Sequence, residues 1–415
     1  QLLTIYVFDA SGNFDFAVNV PLTIQDNNHV CPGPAPSGNQ GEISIQGRIT
    51  TVTGKAVDQA DVYMKDDANG NHPESTDLRG EYHFLKVAKN QNYEIRPKKD
   101  INPLNGVSTL DVVKIIKHIL GAEKLEGPYN RLAADVNFSG QINGGDVIDL
   151  RKIVLGLADF KDQRSWIFIN KDYQFKNELD PFADNYPQAY SIQQASEDMK
   201  INFVGVKMGD VDNTAILGQL NQAEIRSNPI IPIYYNAPFL QEGKDYQIEL
   251  TADALHEVWG GQFVLELDPE VAGIEAVQTS GILKAGTANE RKLDDGVFKF
   301  SFAQLGPGEI NQGEVLLTLT IRARKSTNLN GHLQFTSDDL SPEIYQQDKI
   351  NTLALIPGQS GIEGLRLAQN RPNPFADQTI IDYFLPANTP VVLSVMDIAG
   401  REVLVRQLAG QKGLN

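Results

Sequence analysis

Two stretches of the sequence carry oxygen-bearing side chains at a spacing that suits a calcium ion. The first runs from Asp100 to Asp111 and the second from Asp135 to Asp146. Each holds an Asp, an Asn two residues later and another Asp eleven residues after the first, and an apolar run with helical periodicity follows at once. Calcium takes oxygen ligands from positions 1, 3, 5, 7, 9 and 12 of such a loop. The repeat therefore predicts two calcium loops, each leading into a helix.

The two predicted loops supply different sets of ligands. The second loop offers Asp135, Asn137, Ser139, the Gln141 carbonyl, Asn143 and Asp146. The first offers Asp100, Asn102, the Gly106 carbonyl, Ser108 and Asp111. Its position 5 is Leu104, which has no side-chain oxygen, so we predict two calcium ions with the tighter one in the second loop. A single copy could equally be an Asx-turn before a helix, but the duplication favours calcium.

The span from Asp100 to Leu157 resembles the type I dockerin family through these two loop–helix copies. The resemblance implies a small helical calcium module that recognises a cohesin through hydroxyl side chains at loop positions 10 and 11. Those positions hold Thr109-Leu110 in the first copy and Gly144-Gly145 in the second. Only Thr109 keeps a hydroxyl, so calcium binding carries over, whereas recognition of a cohesin carries over in part.

A third acidic motif, Gly209-Asp210-Val211-Asp212, imitates the opening of a calcium loop. No helix with an acid at position 12 follows it. Whether Asp210 and Asp212 bind calcium is left open by the sequence.

Composition limits the classes of partner. The chain has 415 residues, enough for three or four domains, and 36 Lys plus Arg against 53 Asp plus Glu give a net charge of −17. This charge disfavours nucleic acid and anionic membranes as partners, and it suits either calcium outside the cell or simple solubility. Cys31 is the one cysteine, so an internal disulfide is excluded. No apolar run reaches the roughly 20 residues of a membrane helix, and the common catalytic motifs are absent, so we predict a non-enzyme that does not span a membrane.

Residues 1–97 have the patterns of β structure. Residues 1–26 are predicted to be the end of an upstream β-sandwich, and 27–41 a linker rich in Pro and Gly. Within 42–97, the run from Asp77 to Phe84 resembles a signature of carboxypeptidase-regulatory-like (Cna B-type) sandwiches. The resemblance implies a stalk module, with Tyr82 and Phe84 on the core face.

The next stretch contains the helical module and two more β regions. Residues 98–158 form the dockerin-like module, and 159–216 are interpreted as its β extension, with Trp166 and Phe168 in the core. After a linker at 217–229, residues 230–356 alternate as strands of a β-sandwich. The run Gly260–Pro269, together with shorter matches at Phe300–Phe302 and Pro342–Tyr345, resembles the packing motifs of cohesins.

The C-terminal region carries an export pattern. A linker at 357–365 precedes residues 366–415, in which Asn370–Phe375 and Asp397–Val403 resemble the sorting domain of type IX secretion substrates. The resemblance implies export across the outer membrane of a Gram-negative bacterium, and a location on the cell surface or in the medium. The usual closing strands do not follow Lys412–Asn415, so we predict an incomplete sorting domain.

Together these patterns predict a mainly β multidomain protein with one small α-helical calcium-binding pair. We expect a secreted, cell-surface structural or adhesive protein that is stiffened by calcium and handled by the type IX machinery. A scaffold in which a cohesin-like sandwich engages a dockerin-like module, of another chain or of the same chain, is the alternative. A third hypothesis is the non-catalytic tail of a large secreted enzyme. A carbohydrate or other surface ligand of the sandwiches is left open.

Overall fold

The structure is a computed structural model. It describes residues 2–8, 14–21, 41–68, 70–217, 228–289, 293–337, 340–347, 349–358, 366–367, 370, 378–385, 388–396, 402–411 and 413–414. The chain divides into two units. The first comprises Gln1–Ile101, Arg164–Met208 and Ile216–Gln222, and the second comprises Asn102–Gln163, Gly209–Ala215 and Ala223–Asn415. The predicted linkers at 27–41, 217–229 and 357–365 fall almost entirely outside the described residues.

The first unit consists of β-strands in a hairpin and two sheets. Its strands are β1 (Leu2–Phe8), β2 (Phe14–Pro21), β3 (Glu42–Thr50), β4 (Asp61–Asp66), β5 (Asn71–Ser75), β6 (Glu81–Ala88), β7 (Tyr93–Lys98), β8 (Trp166–Asn170), β9 (Tyr190–Ile192), β10 (Met199–Lys200) and β11 (Phe203–Lys207). Strands β1 and β2 pair as an antiparallel hairpin. One sheet has the order β10-β3-β11-β8 with β6 also paired to β3, and the other has the order β5-β4-β7-β9.

The core of the first unit follows from alternation along the strands. Residues of β3 alternate between buried and more exposed positions, as expected for a strand with one face on a core. Tyr82 and Phe84 are buried in this core, as predicted, and so are Trp166 and Phe168. The hydroxyl of Tyr82 donates to the Ile201 carbonyl at 2.6 Å, so this ring also ties the first and last parts of the unit together.

The strand pairing differs from the predicted boundary at residue 159. We predicted that 159–216 extends the helical module. Instead, β10 and β11 pair in parallel with β3, and β9 pairs with β7, so these strands complete the sandwich that begins at residue 42. The reason is that the short runs at 199–207 are apolar enough to be buried between sheets, and β3 offers a free edge. Within 159–216, residues 159–163 and Gly209–Ala215 belong to the same unit as the helices.

The second unit begins with three helices. They are α1 (Thr109–Leu120), α2 (Gly127–Ala134) and α3 (Gly144–Val154). Helices α1 and α3 each start in a capping box, with Ser108 and Asp111 for α1 and Asn143 and Asp146 for α3. Helix α1 ends at Gly121, whose φ of 74° is the left-handed conformation that glycine adopts readily. Both predicted helices are thus confirmed, and α2 was not predicted.

The larger part of the second unit is a β-sandwich with one apolar core. Its strands are β12 (Ile230–Tyr235), β13 (Phe239–Leu240), β14 (Asp245–Ala252), β15 (Leu255–Leu267), β16 (Ala272–Thr279), β17 (Thr287–Asn289), β18 (Val297–Ile310), β19 (Val315–Ala323), β20 (Thr327–Asn328), β21 (Leu333–Thr336), β22 (Glu343–Gln346) and β23 (Lys349–Pro357). The strand order is β16-β19-β14-β12-β23-β22-β15-β18-β17, with β21 on β15. Phe263 contacts the rings of Phe298, Phe300 and Phe335 at the centre of the core.

The C-terminal region contains short antiparallel strands. They are β24 (Arg366–Leu367), β25 (Tyr383–Leu385), β26 (Thr389–Met396), β27 (Glu402–Gly410) and β28 (Gly413–Leu414). Strand β26 pairs with β27, and β25 pairs with both β24 and β28. Most residues of the two predicted sorting motifs, 371–375 and 397–401, lie outside the described part of the chain.

Candidate functional site

The second predicted calcium loop folds on its own side chains. Asp135 accepts hydrogen bonds from the backbone of Ser139 and Gly140, both at 2.8 Å. Asp146 accepts from the backbone of Asn143 at 2.9 Å and of Asn137 at 3.4 Å. The two carboxylates at positions 1 and 12 therefore close the loop from its two ends.

The remaining predicted ligands of this loop also lie inside it. Asn137 accepts from Ser139, whose hydroxyl in turn donates to the Gln141 carbonyl at 3.1 Å. Asn143 caps α3 by accepting from the backbone of Gly145 at 2.7 Å. The turn passes through Gly140 at a φ of 78°, the positive value that position 6 requires. The structure thus brings all six predicted positions into one loop.

Burial and a like charge perturb the closing acid of this loop. The pKa of Asp146 is raised to about 6, mainly by burial and also by the charge of Asp135, although hydrogen bonds from Asn143 and Asn137 lower it. A nearby cation would stabilise the charged form of such a carboxylate, because its attraction offsets the loss of hydration on burial.

The first predicted loop is arranged differently. Asp100 belongs to the first unit, where it accepts hydrogen bonds from the backbone and the hydroxyl of Ser165. Asn102 is exposed, with a φ of 50°. In the second unit, Ser108 caps α1 and the Gly106 carbonyl accepts from the Thr214 hydroxyl at 3.1 Å.

The position-12 acid of the first loop belongs to a cluster of three carboxylates, which we call the acid centre. Single carboxylate oxygens of Asp111, Asp210 and Asp212 all lie within 4.8 Å of one another, so the cluster could hold a metal ion. The backbone of Val211 donates to Asp111 at 2.9 Å and so fixes the downstream segment to the start of α1. The Oδ1 atom of Asp212 is buried and has no hydrogen-bond partner among the described residues.

The three acids repel one another inside the protein. Burial raises the pKa of Asp111 well above its ordinary value, and the charges of Asp212 and Asp210 raise it further. Burial likewise raises the pKa of Asp210 to about 7, although the backbone of Ala215 and Thr214 donates to it. Carboxyl groups in this state hold a proton or a cation near neutral pH, because three unpaired negative charges in a buried cluster are unfavourable.

The first turn of α1 contacts the β-sandwich of the same unit. The backbone of Thr109 donates to the Gln262 side chain at 2.7 Å, and its hydroxyl lies 2.7 Å from that of Ser301. Thr109 and Ser301 are fully buried and Gln262 is 2% exposed. Gly260 allows this approach, since a Cβ there would lie 2.6 Å from the Phe302 carbonyl oxygen and 2.8 Å from Val113.

Three further contacts extend this helix–sandwich interface along α1 and α3. Lys117 donates to the Gln347 carbonyl at 2.9 Å, and its ammonium lies 5.1 Å from the centroid of the Trp259 ring. Arg151 donates to the carbonyls of Ala285 and Ala303, both at 3.2 Å. The Asn289 side chain donates to the Leu155 carbonyl at 2.8 Å. The interface therefore includes both helices, and the sandwich supplies hydrogen-bond partners to Lys117 and to both terminal nitrogens of Arg151.

A buried tyrosine joins the interface to the acid centre. The Tyr345 hydroxyl donates to Glu343 at 3.0 Å and also hydrogen-bonds Ser108, the N-cap of α1. Burial raises the pKa of Tyr345, and burial also raises that of Glu343. Strand β22 thus reaches the residue that caps the helix carrying Asp111.

Contact between the helical module and the sandwich of the same chain was one of the predicted alternatives, but its residues and the acid centre were not predicted. Asp210 and Asp212 resembled only the start of a calcium loop, because no acid follows them at position 12. The acid that completes their cluster is Asp111, about a hundred residues earlier. The signal was present as two incomplete patterns: a first loop without a position-5 ligand and a downstream motif without a closing acid. Gln262 and Ser301 lie within the runs that resemble cohesin packing motifs, but nothing in those runs predicted a contact with a helix, and Arg151 was not singled out.

Comparisons with known proteins return structures of cohesins. No family model matches the sequence, and neither does any curated protein. Part of the chain is similar to a chain of a type I cohesin–dockerin complex from Clostridium thermocellum, at 13% identity and a TM-score of 0.25, covering 30% of this chain and 94% of that one.

Two further solved structures are similar to part of the chain. A type I cohesin from Pseudobacteroides cellulosolvens has 15% identity and a TM-score of 0.23, covering 31% of this chain and 88% of that one. A non-cellulosomal cohesin from the archaeon Archaeoglobus fulgidus has 17% identity and a TM-score of 0.23, covering 30% and 85%. The description of residues 230–357 as a β-sandwich rests on the strand pairing given above. In the described part of the chain, no helix is long and apolar enough to cross a membrane.

Proposed function

We propose that this chain is a non-catalytic, secreted structural or adhesive protein, in which a dockerin-like helical module is docked on the cohesin-like sandwich of the same chain and calcium keeps it docked. The observation that carries the proposal is the contact of Thr109 with Gln262 and Ser301. Thr109 is the one recognition-position residue with a hydroxyl, and it meets a partner within its own chain.

The chemistry of the contact favours a permanent interface over a passing one. Thr109, Ser301 and Gln262 are buried, and their polar groups satisfy one another. Removing one partner while the other stays buried would leave an unmatched polar group, which costs about 1–3 kcal/mol. Tethering in one chain also raises the effective concentration of the partner, commonly to the millimolar range, so weak contacts suffice.

Calcium fits both acidic sites by the chemistry of their donors. The second loop offers oxygens at all six positions, and the acid centre offers three carboxylates, two of them with raised pKa values. Calcium prefers such oxygen ligands, and a cation at the acid centre would remove the repulsion between Asp111 and its neighbours. Because Asp111 lies two residues after Thr109 on the same helical turn, a cation there would also fix the residue that docks.

Two other parts of the proposal rest on the sequence patterns. Export by the type IX route, with a location at the surface of a Gram-negative cell, is supported by the motifs in residues 366–415. A scaffold that pairs modules of different chains is the second candidate function, favoured by the resemblance to dockerins and cohesins. Contacts within one chain occupy the docking face, and a monomer is therefore expected in solution.

A thermal melt in calcium and in EDTA tests the proposed role of calcium, because one variant should shift the Tm in opposite directions in the two buffers. Asp212→Asn removes one of three repelling charges, so we expect a higher Tm than wild type in EDTA and a lower Tm in calcium, each by several degrees. Asp159→Asn, at an exposed acid, is the matched control and should change neither. A Tm unaffected by EDTA, or a variant shifted in the same direction in both buffers, would contradict calcium at the acid centre.

A further inference from the structure

A cavity of about 370 Å³ lies where α1 meets the sandwich. It is bounded by α1, by Trp259 on β15, and by residues 345–347, 349 and 350 on and between β22 and β23. Small-molecule sites commonly measure about 300–1,000 Å³ and combine an apolar surface with a few polar groups. This cavity has both, since Trp259, Val113 and Ile350 line it together with charged and amide side chains.

Three lysines and two acids line the cavity. The lysines are Lys114, Lys117 and Lys349, and the acids are Glu123 and Asp212. Lys117 is engaged by Glu123 at 3.2 Å and by the Gln347 carbonyl. Lys114 and Lys349 have no ion pair within the described ranges. Among the described residues, the ammonium groups of Lys114 and Lys349 can therefore pair with an anionic ligand.

We propose that this cavity binds a carboxylated sugar, such as a uronic acid unit of an extracellular polysaccharide. The two free ammonium groups of Lys114 and Lys349 suit the carboxylate, which binds cations through charge-assisted hydrogen bonds. The Trp259 indole offers an apolar surface for the C–H face of a sugar ring, and the Gln347 amide suits its hydroxyls. An aromatic surface beside short hydrogen-bonding side chains fits a compact polyol better than an acidic peptide, whose backbone would need partners of its own.

The site rests on the docked arrangement, because α1 supplies Lys114 and the sandwich supplies Lys349 and Trp259. Asp212 of the acid centre also lines the cavity, so binding is measured in calcium buffer. Failure of binding with an unchanged, calcium-sensitive Tm would overturn the sugar site alone, whereas loss of the calcium-sensitive Tm would count against the proposed function.

Ligand-observed NMR with methyl glucuronoside on the whole chain in calcium buffer tests the proposal. Methyl glucoside, which lacks the carboxylate, and a tri-aspartate peptide are the competing probes. We expect binding of the glucuronoside, little of the glucoside, and about a tenfold loss of affinity in Lys114→Gln or Lys349→Gln, the scale of one lost hydrogen bond to a charged group. Lys152→Gln, at an exposed lysine of α3, should leave affinity unchanged.

Three results would overturn the assignment. Equal binding of the glucoside would remove the role of the carboxylate, and tighter binding of the tri-aspartate peptide would replace the sugar by a peptide. Absence of glucuronoside binding in a wild-type chain with its normal Tm would remove the site. A Trp259→Leu variant that keeps its Tm should bind more weakly, and unchanged affinity there would exclude stacking on the indole.

Discussion

The two loop–helix copies share one sequence pattern but have different surroundings. Helix α1 starts at Thr109, which is fully buried against the sandwich, and its capping acid Asp111 belongs to the acid centre. Helix α3 starts at Gly144, where a Cβ would meet nothing within 4 Å, and its capping acid Asp146 bonds only to its own loop. The repeated motif thus specifies the capped helix in both copies, whereas contacts with distant residues determine how the loop and the first turn of each copy are arranged.

Docking and the acid centre share the first turn of α1. Thr109 and Asp111 are the first and third residues of the helix. A change in the position of either residue therefore moves the other. In the second copy, contact with the sandwich comes from Arg151 and Leu155, near the far end of α3, so a cation in that loop acts on docking through the length of the helix.

The largest expected effect comes from crowding the first copy. Gly260→Ala places a methyl group 2.6 Å from a backbone oxygen and 2.8 Å from Val113, and such overpacking costs about 1–3 kcal/mol. We expect the calcium-form Tm to fall by several degrees. Gly144→Ala, at the start of α3, is the matched variant and should leave the Tm unchanged or raise it, as alanine favours helix. Equal effects of the two variants would remove the contrast between the copies.

A smaller effect is expected from the docking hydroxyl. Thr109→Val keeps the shape of the side chain and removes one partner of a buried hydroxyl pair, which should destabilise the docked form by about 1 kcal/mol. Ser301→Ala should cost a similar amount, and the double variant should cost less than the sum, because the second change removes a group already unmatched. Additive effects in melts of the four proteins would show that the two hydroxyls do not interact.

A pH series separates the two acidic sites. The pKa of Asp210 is raised to about 7 and that of Asp146 to about 6, and the pKa of Asp111 is also raised. Folding raises these values, so the folded form binds protons more tightly, and its stability falls as pH rises from about 4 through 7. In EDTA we expect the Tm to decrease from pH 5 to pH 8.

Calcium should compete with these protons, so we expect the Tm to decrease less between pH 5 and pH 8 in calcium than in EDTA. Asp210→Asn should flatten the part of the EDTA profile above pH 6, whereas Asp146→Asn should act mainly below it. An EDTA profile that rises over this range would contradict the assigned proton binding.

The sequence ranked the second loop as the tighter site by counting ligands within each loop. The acid centre has three carboxylates, because it includes Asp210 and Asp212, whereas the second loop has two. We therefore expect the acid centre to bind calcium more tightly.

Local features of the fold were predictable, and distant pairings were not. Capping residues and apolar periodicity lie within about fifteen residues, so α1, α3 and the second loop could be read from the sequence. Helix α2 has only eight residues, and it starts at a Gly-Pro pair that resembles a turn. The pairing of β11 with β3 joins residues more than 150 positions apart, and no pattern in either strand specifies its partner. The same is true of Thr109 and Ser301.

Hydrogen exchange of the whole chain, in calcium and in EDTA and at two protein concentrations, tests whether calcium keeps α1 docked on the sandwich of the same chain. If it does, EDTA should speed exchange in α1 far more than in β14, a strand inside the sandwich. The protection of α1 should also be independent of protein concentration, as docking within one chain requires. Protection of α1 that is unchanged by EDTA would contradict the role of calcium, and protection that increases with concentration would show that docking occurs between chains.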